Sequence, residues 1–251
     1  MTKFPIKRIG GIFTLFCLLQ GALGLQGCQA PTQNAPKRET QQASSCVQLE
    51  KTSLCATSGS YEVAKGMMET SSVQTRGLLT TTSQQGISLL FSYKGPPEEV
   101  KAFRSGLKRQ QIGVKVKAQD SCNLIYVMWR FGEKDSIVVS RKLNPGQHSH
   151  KECLNHGYKT IATLPAPKII REGEFHRLNV SIDKNQLKVM ADGENLWQGI
   201  LEEELSQLQG PLGIRTDNGK FVFKTEDWNP SAAASASDSS SNSSTPPSTS
   251  L

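Results

Sequence analysis

The sequence predicts an all-β chain: an antiparallel β-sandwich carried between disordered N- and C-terminal segments. Three observations predict it. Between Cys46 and Trp228 the dominant hydrophobic period is two, as in strands with one face buried. Turn chemistry breaks that period at short intervals, at Gly132-Glu133-Lys134-Asp135, Asp183-Lys184-Asn185, Asp192-Gly193 and Asp217-Asn218-Gly219. Only Leu201 to Leu208 has a helical look, and it is short. About a dozen strands with no long helix can bury their apolar faces only by packing sheet on sheet.

The first element is not part of the sandwich. Lys3, Lys7 and Arg8 precede an uncharged segment from Ile9 to Leu25, the basic and apolar regions of a secretory signal, and Leu25-Gln26-Gly27-Cys28 closes it. The apolar run falls short of the about 20 residues of a spanning helix. The arrangement resembles the lipobox of bacterial lipoproteins, which implies cleavage after residue 27 and acylation of Cys28, with palmitate-type chains holding the protein on a membrane. Gln29, rather than an acidic residue, follows the cysteine, and the same resemblance then favours the outer membrane in a Gram-negative envelope. Residues 28–45 are polar, with Pro31 and Pro36, and read as a flexible tether. At the other end, 229–251 is Ser, Ala, Pro and Thr with a single charge at Asp238, a composition with nothing to bury.

Losing residues 1–27 removes three of the 29 basic residues and none of the 22 acidic ones, leaving a formal charge of +4. So mild a surplus, spread along the chain, gives no basic stripe for nucleic acid. Cys17 lies in the signal and Cys28 is committed to lipid, so Cys46, Cys55, Cys122 and Cys153 remain, and in an oxidising compartment they read as two disulfides. Of the three pairings, Cys46 with Cys55 and Cys122 with Cys153 is preferred, because each links neighbours in sequence and in the expected sheet.

Residues 46–228 form one domain of ample length for a full core. Gly86 to Tyr93 and Gln111 to Lys117 are strands; in the second, Ile112, Val114 and Val116 face one way, Lys115 and Lys117 the other. Asn123 to Phe131 is apolar on both faces, Ile125, Val127, Trp129 and Phe131 on one and Leu124, Tyr126 and Met128 on the other, so it belongs at the centre of a sheet. Ser136 to Arg141 follows. Phe175 to Ile182, Gln186 to Ala191 and Asn195 to Ile200 form successive hairpins. Leu212 to Arg215 and Lys220 to Lys224 flank Asp217-Asn218-Gly219, where Asn-Gly suits the left-handed backbone of a tight hairpin.

The run from Phe175 to Phe223, with "LKVMADGENLWQG" and "GPLGIRTDNGKFVFKTEDW", resembles the concanavalin A-like lectin and glucanase superfamily. That resemblance implies a jelly-roll sandwich and, as in laminin G domains and legume lectins, a surface for glycan or protein ligands. The glucanases of the superfamily carry carboxylates at alternate positions of one strand, and no strand here does; Glu202, Glu203 and Glu204 form a solvated run instead. No catalytic residue is therefore assigned. His148, His150, Cys153 and His156 crowd into "HSHKECLNH", but Cys153 is more simply the partner of Cys122, and neither a metal nor another cofactor is expected. His176 has no local partner and reads as structural. A Gly-Xaa-Ser-Xaa-Gly elbow and phosphate-binding glycine loops are absent.

Aromatics are the remaining chemical resource. Tyr126 and Arg130 share a face of the two-faced strand and Trp197 sits on a hairpin strand; these three are the candidate ligand-binding residues, the rings to stack on a pyranose and the guanidinium to bond its hydroxyls. Against this stands the reading in which Tyr126, Trp129 and Trp197 simply fill the core. The function expected is a lipid-anchored, non-catalytic envelope protein that binds a glycan or an envelope protein. The alternatives are a glycoside hydrolase-like enzyme on the same fold, or a purely structural lipoprotein.

Overall fold

The computed structural model describes residues 46–229, apart from 50, 51, 71, 81–84, 104 and 133. The signal with Cys28, the tether and the tail beyond Asn229 lie outside the described residues.

Fifteen strands and two one-turn helices are found among the described residues. The first five strands are short: β1 (Cys46–Leu49), β2 (Thr52–Ser58), β3 (Tyr61–Ala64), β4 (Met67–Thr70) and β5 (Gln74–Leu79). Then come β6 (Gly86–Tyr93), β7 (Gln110–Val116), β8 (Leu124–Phe131) and β9 (Ser136–Lys142). Helix α1 (His150–Cys153) precedes β10 (Tyr158–Pro165), β11 (Phe175–Asp183), β12 (Gln186–Ala191) and β13 (Glu194–Ile200). Helix α2 (Glu203–Ser206), β14 (Gly213–Asp217) and β15 (Phe221–Asp227) complete the domain. One sheet has eight strands in the order β1-β2-β5-β14-β7-β8-β9-β10, the other seven in the order β13-β12-β11-β6-β15-β4-β3, and every strand pair is antiparallel.

The core lies between the sheets. From β7 and β8 it takes Ile112, Val114, Ile125, Val127 and Trp129, and from the facing sheet Leu89, Phe91, Val180, Leu187 and Phe223, all without solvent exposure. Strand β8 is interior to its sheet and buried on both faces over Leu124–Trp129, as its double apolar pattern requires. Asp183-Lys184-Asn185 and Asp192-Gly193 are hairpin turns, with Asp192 (φ 47°) and Gly193 (φ 87°) giving the left-handed pair that matches strand twist.

The turn at Asp217-Asn218-Gly219 is not a hairpin. Strand β14 sits between β5 and β7 in the eight-stranded sheet, whereas β15 pairs with β6 and β4 in the other, so the chain crosses the sandwich here. Asn218 does take a left-handed backbone (φ 55°), but its side chain is buried. Its Nδ2 donates to the carbonyls of Lys101 (2.9 Å) and Arg109 (3.0 Å), while Oδ1 accepts the Lys101 N–H (2.8 Å). An asparagine that tolerates positive φ serves a corner between sheets as well as a hairpin, and the local sequence does not distinguish the two.

The cysteines pair as Cys46–Cys55 and Cys122–Cys153. The first joins directly opposed residues of β1 and β2. The second fixes α1 to the start of β8, where Ser149 caps the helix and its N–H donates to Glu152 Oε2 (2.8 Å). Closing a separation of 31 residues restricts the unfolded chain by about 3 to 4 kcal/mol in the chain-entropy account. Replacing both Cys122 and Cys153 with Ala is expected to lower unfolding stability by that amount, read as a lower denaturant midpoint with a steeper slope, because the freed unfolded chain exposes more surface. His176, expected to lack a local partner, finds one across the β11–β12 hairpin: its Nδ1 lies 2.8 Å from Asp192 Oδ2, with both side chains buried.

Candidate binding groove

The face of the eight-stranded sheet turned away from the core carries three rows of side chains. One runs Arg76–Arg215–Gly113–Met128, the next Gln74–Asp217–Gln111–Arg130, and the third Leu78–Gly213–Lys115–Tyr126–Ser140. In a sheet whose side chains alternate faces, the apolar residues at 112, 114, 125, 127 and 129 point inward, so the polar residues between them must share the outer face. Gly113 leaves its place in the first row empty, and a Cβ there would run into the Val127 carbonyl oxygen.

Asp217 is the pivot of this face. It is fully buried; Oδ1 accepts from Arg76 Nη2 (2.8 Å), and Oδ2 from Arg215 Nε (2.8 Å) and Gln111 Nε2 (2.7 Å). Gln111 passes the order on, its Oε1 accepting from Arg130 Nε (3.2 Å). Burial opposes the Arg215 charge, but the adjoining Asp217 carboxylate together with Tyr126 and Tyr158 more than offsets it and holds the guanidinium firmly protonated. The Arg215 guanidinium then lies over the Tyr126 ring (4.9 Å), and Tyr126 stacks on Tyr158 of β10 (6.0 Å, 22° between planes).

Two adjoining hollows of about 550 and 540 Å³ open on this face and share Phe103, Tyr126, Asn155, Tyr158 and Arg215. Phe103, from the segment between β6 and β7, stands over the middle, its ring 6.0 Å from the Arg109 guanidinium and 5.9 Å from that of Arg215. The other wall is the disulfide-bound segment of α1. Lys142 belongs to that wall: its Nζ donates to the carbonyls of Ser121 (2.9 Å) and Leu154 (2.8 Å) and sits 5.3 Å over Tyr158.

Tyr126 and Arg130 are thus brought to one groove, four residues apart on β8. Trp197 is not: it lies on β13, the edge strand of the opposite sheet, where it is half-buried against the core. The three candidates do not form one cluster, because the hairpin that carries Trp197 and the strand that carries Tyr126 belong to different layers. Trp129 is a core residue, as the competing reading has it. Asp217, assigned to the turn by its Asp-Asn-Gly context, anchors the groove floor instead. Sequence reasoning missed Arg76, Lys115, Phe103 and Tyr158 as groove residues. The alternation Leu54, Ala56 and the run Tyr158-Lys159-Thr160-Ile161, with an aromatic and two β-branched residues, were usable signals for the unassigned strands; the joining of β5 to β14, which pairs Arg76 with Arg215, had none. Among the described residues His148, His150, Cys153 and His156 form no metal-holding group; Cys153 is disulfide-bonded and His148 Nδ1 pairs with Asp120 (2.9 Å).

Lys115 is buried beside Arg76 and Arg215, and its nearest acceptor is the Gly77 carbonyl at 3.5 Å. Burial first, then the two guanidinium groups, push its ammonium down to about 8. An unfolded lysine titrates near 10.4. Between those values the unfolded chain holds the proton that the folded one has released, so stability must rise with pH, by at most about 1.4 kcal/mol per pH unit. Unfolding titrations at pH 7.5 and 9.5 are expected to show a gain on the order of 2 kcal/mol in the wild type and little in Lys115→Met. The interval stops below pH 10 because burial raises Tyr61 to about 12, and alkaline ionisation of the unfolded tyrosine then works the other way.

No protein-family profile and no curated protein sequence matches the chain. Its structure does have likenesses. The carbohydrate binding module CBM66 from Bacillus subtilis superposes with a TM-score of 0.50 at 12% identity, over 69% of this chain and 95% of that one. The fold is the jelly-roll β-sandwich of that module. The galectin LEC-6 from Caenorhabditis elegans (TM-score 0.41, 10% identity, 72% and 99% covered) and an endo-1,3-β-glucanase catalytic domain from Thermotoga petrophila (0.42, 9%, 70% and 83%) are further similar structures.

Proposed function

We propose that this chain is a lipid-anchored envelope protein whose sandwich binds glycans in the groove over β14, β7 and β8, without catalysing their cleavage. The observation that carries the reading is the groove itself: three rings, Phe103, Tyr126 and Tyr158, beside donors fixed in place by Asp217 and Gln111. Rings for the apolar side of a sugar and pre-positioned donors for its oxygens are the complement that saccharide recognition needs, and donors already ordered cost little entropy on binding. The carbohydrate-binding module with the same fold supports it. A non-catalytic role is supported by the carboxylates: glycoside hydrolysis uses two facing a common bond, and the one carboxylate of the floor, Asp217, is buried under two guanidinium groups.

A glycan-array and peptidoglycan screen of the purified protein tests the reading, with expected retention of a glycan class and no release of reducing ends. Sustained turnover would favour the hydrolase-like alternative, and neither binding nor turnover would leave a structural protein. The anchor rests on Leu25–Cys28 in the sequence. Cys28→Ala is expected to abolish incorporation of a clickable fatty acid in cells and to leave the precursor uncleaved; equal label on both proteins would end the lipoprotein reading.

A further inference from the structure

The walls and floor of the groove are lopsided in charge. Among the described residues, eight Lys and Arg side chains line the two hollows, and no Asp or Glu does. Some of that charge is spent within the protein. Asp217, beneath the floor, answers Arg76 and Arg215, one negative charge against two positive; Lys159 pairs with Glu202 at the rim (3.0 Å), and Lys142 is held by carbonyls. Arg109, Lys115 and Arg130 have no carboxylate partner among the described residues. Arg130 donates to the neutral Gln111 and Lys115 approaches only a carbonyl. Burial first, then Arg109 and Arg215, push Arg130 down to about 10, and burial first, then Arg76 and Arg215, push Lys115 down to about 8. Like charges crowded on a half-enclosed face are costly in the empty protein, and the cost is relieved when an anion enters.

We propose that the groove takes an acidic glycan, one whose carboxylate or sulfate groups are met by Lys115, Arg130, Arg109 and the outer edge of Arg215 while its sugar rings lie against Tyr126, Tyr158 and Phe103. This deepens the glycan-binding reading and rests on it. Arg215 and Arg130 are ordered from below by Asp217 and Gln111, so their free N–H groups are set to meet a planar carboxylate or a sulfate, the geometry in which guanidinium recognition is strongest. Rings interleaved with the cations distinguish the site from a plain basic patch, because a polymer of charge alone makes no use of them.

The test is calorimetry on the full-length protein in a non-ionic detergent with four probes: a short oligogalacturonate, its methyl ester, a sulfated galactan oligosaccharide and poly-glutamate. At least one anionic sugar is expected to bind about tenfold or more tighter than the uncharged ester, with affinity falling as salt rises. Which of the two binds identifies carboxylate or sulfate as the charged group. Lys115→Met and Arg130→Gln are each expected to lose about tenfold in that affinity, a larger loss than either causes in the ester's weak binding. Equal binding of acid and ester, with no preference for sulfate, would overturn the charge proposal and leave the glycan reading intact. Poly-glutamate binding as tightly as the sugars would overturn it as well, the groove then being a general anion surface. If no probe binds and the glycan screen is also blank, both readings fall together. The wild-type comparison of acid with ester decides the matter even if a variant does not fold.

Discussion

Asp217→Ala is expected to destabilise the domain by about 3 to 5 kcal/mol, the largest loss we anticipate for any substitution on the outer face of the eight-stranded sheet. The carboxylate is fully buried, accepts from Arg76, Arg215 and Gln111, and holds β5, β14 and β7 in mutual register through them. Its removal leaves the buried Arg215 and the neighbouring Arg76 repelling one another with no counter-charge, next to Lys115. Asp217→Asn should cost less than Ala, since an amide oxygen can still accept one bond, but more than a surface substitution, because the charge is gone. Urea unfolding followed by tryptophan fluorescence measures both. A loss under about 1 kcal/mol in Asp217→Ala would mean that solvent already screens the two guanidinium groups and that Asp217 does not hold the floor together.

Trp129→Ala is expected to cost about 3 to 5 kcal/mol as well, for a different reason. The ring is fully buried between the sheets, edge-on to Phe91 (5.6 Å) and to His176 (5.3 Å), and its loss opens a cavity that β-strands on both sides cannot collapse to fill. Three residues earlier on the same strand, Tyr126 points the other way. Tyr126→Ala should spare more of the core and act chiefly on ligand binding, through the lost stacking surface and the freed Arg215. Melting curves and binding isotherms on the two variants separate the roles. If Tyr126→Ala melts as low as Trp129→Ala, the ring is a structural support of β10 and not a ligand contact.

How far the sequence carried the fold can be seen on β8 itself. Its double apolar pattern placed it inside a sheet, with Trp129 and Tyr126 on opposite faces, and the structure has it so. The hairpins from Phe175 to Ile200 were legible for the same reason: period two and turn residues are local properties. What was not legible is what depends on distant pairing. Arg76 and Arg215 are directly opposed across β5 and β14, yet nothing near either residue marks the other. Asp-Asn-Gly reads as a hairpin until the flanking strands are seen to lie in different sheets. Trp197 had the right chemistry and the wrong layer. Two residues of the candidate site, Tyr126 and Arg130, followed from one strand. Lys115 lay on a strand with a clear apolar period and faced away from it, but nothing local marked it as part of a groove, and Arg76, Phe103 and Tyr158 lay on segments left unassigned.

Asn218 bears on how this protein could change over time. One side chain grips the segment between β6 and β7 at Lys101 and again at Arg109, so the stretch that bears Phe103 leaves and rejoins the sandwich at two pinned points. Substitutions, insertions or exchanges between those points can remodel the roof of the groove while the strands beneath keep their register, because the strain of a new loop is not transmitted past the pins. A lineage could thus explore new ligands by rewriting about seven residues, with the asparagine as the fixed hinge-pin of an exchangeable part.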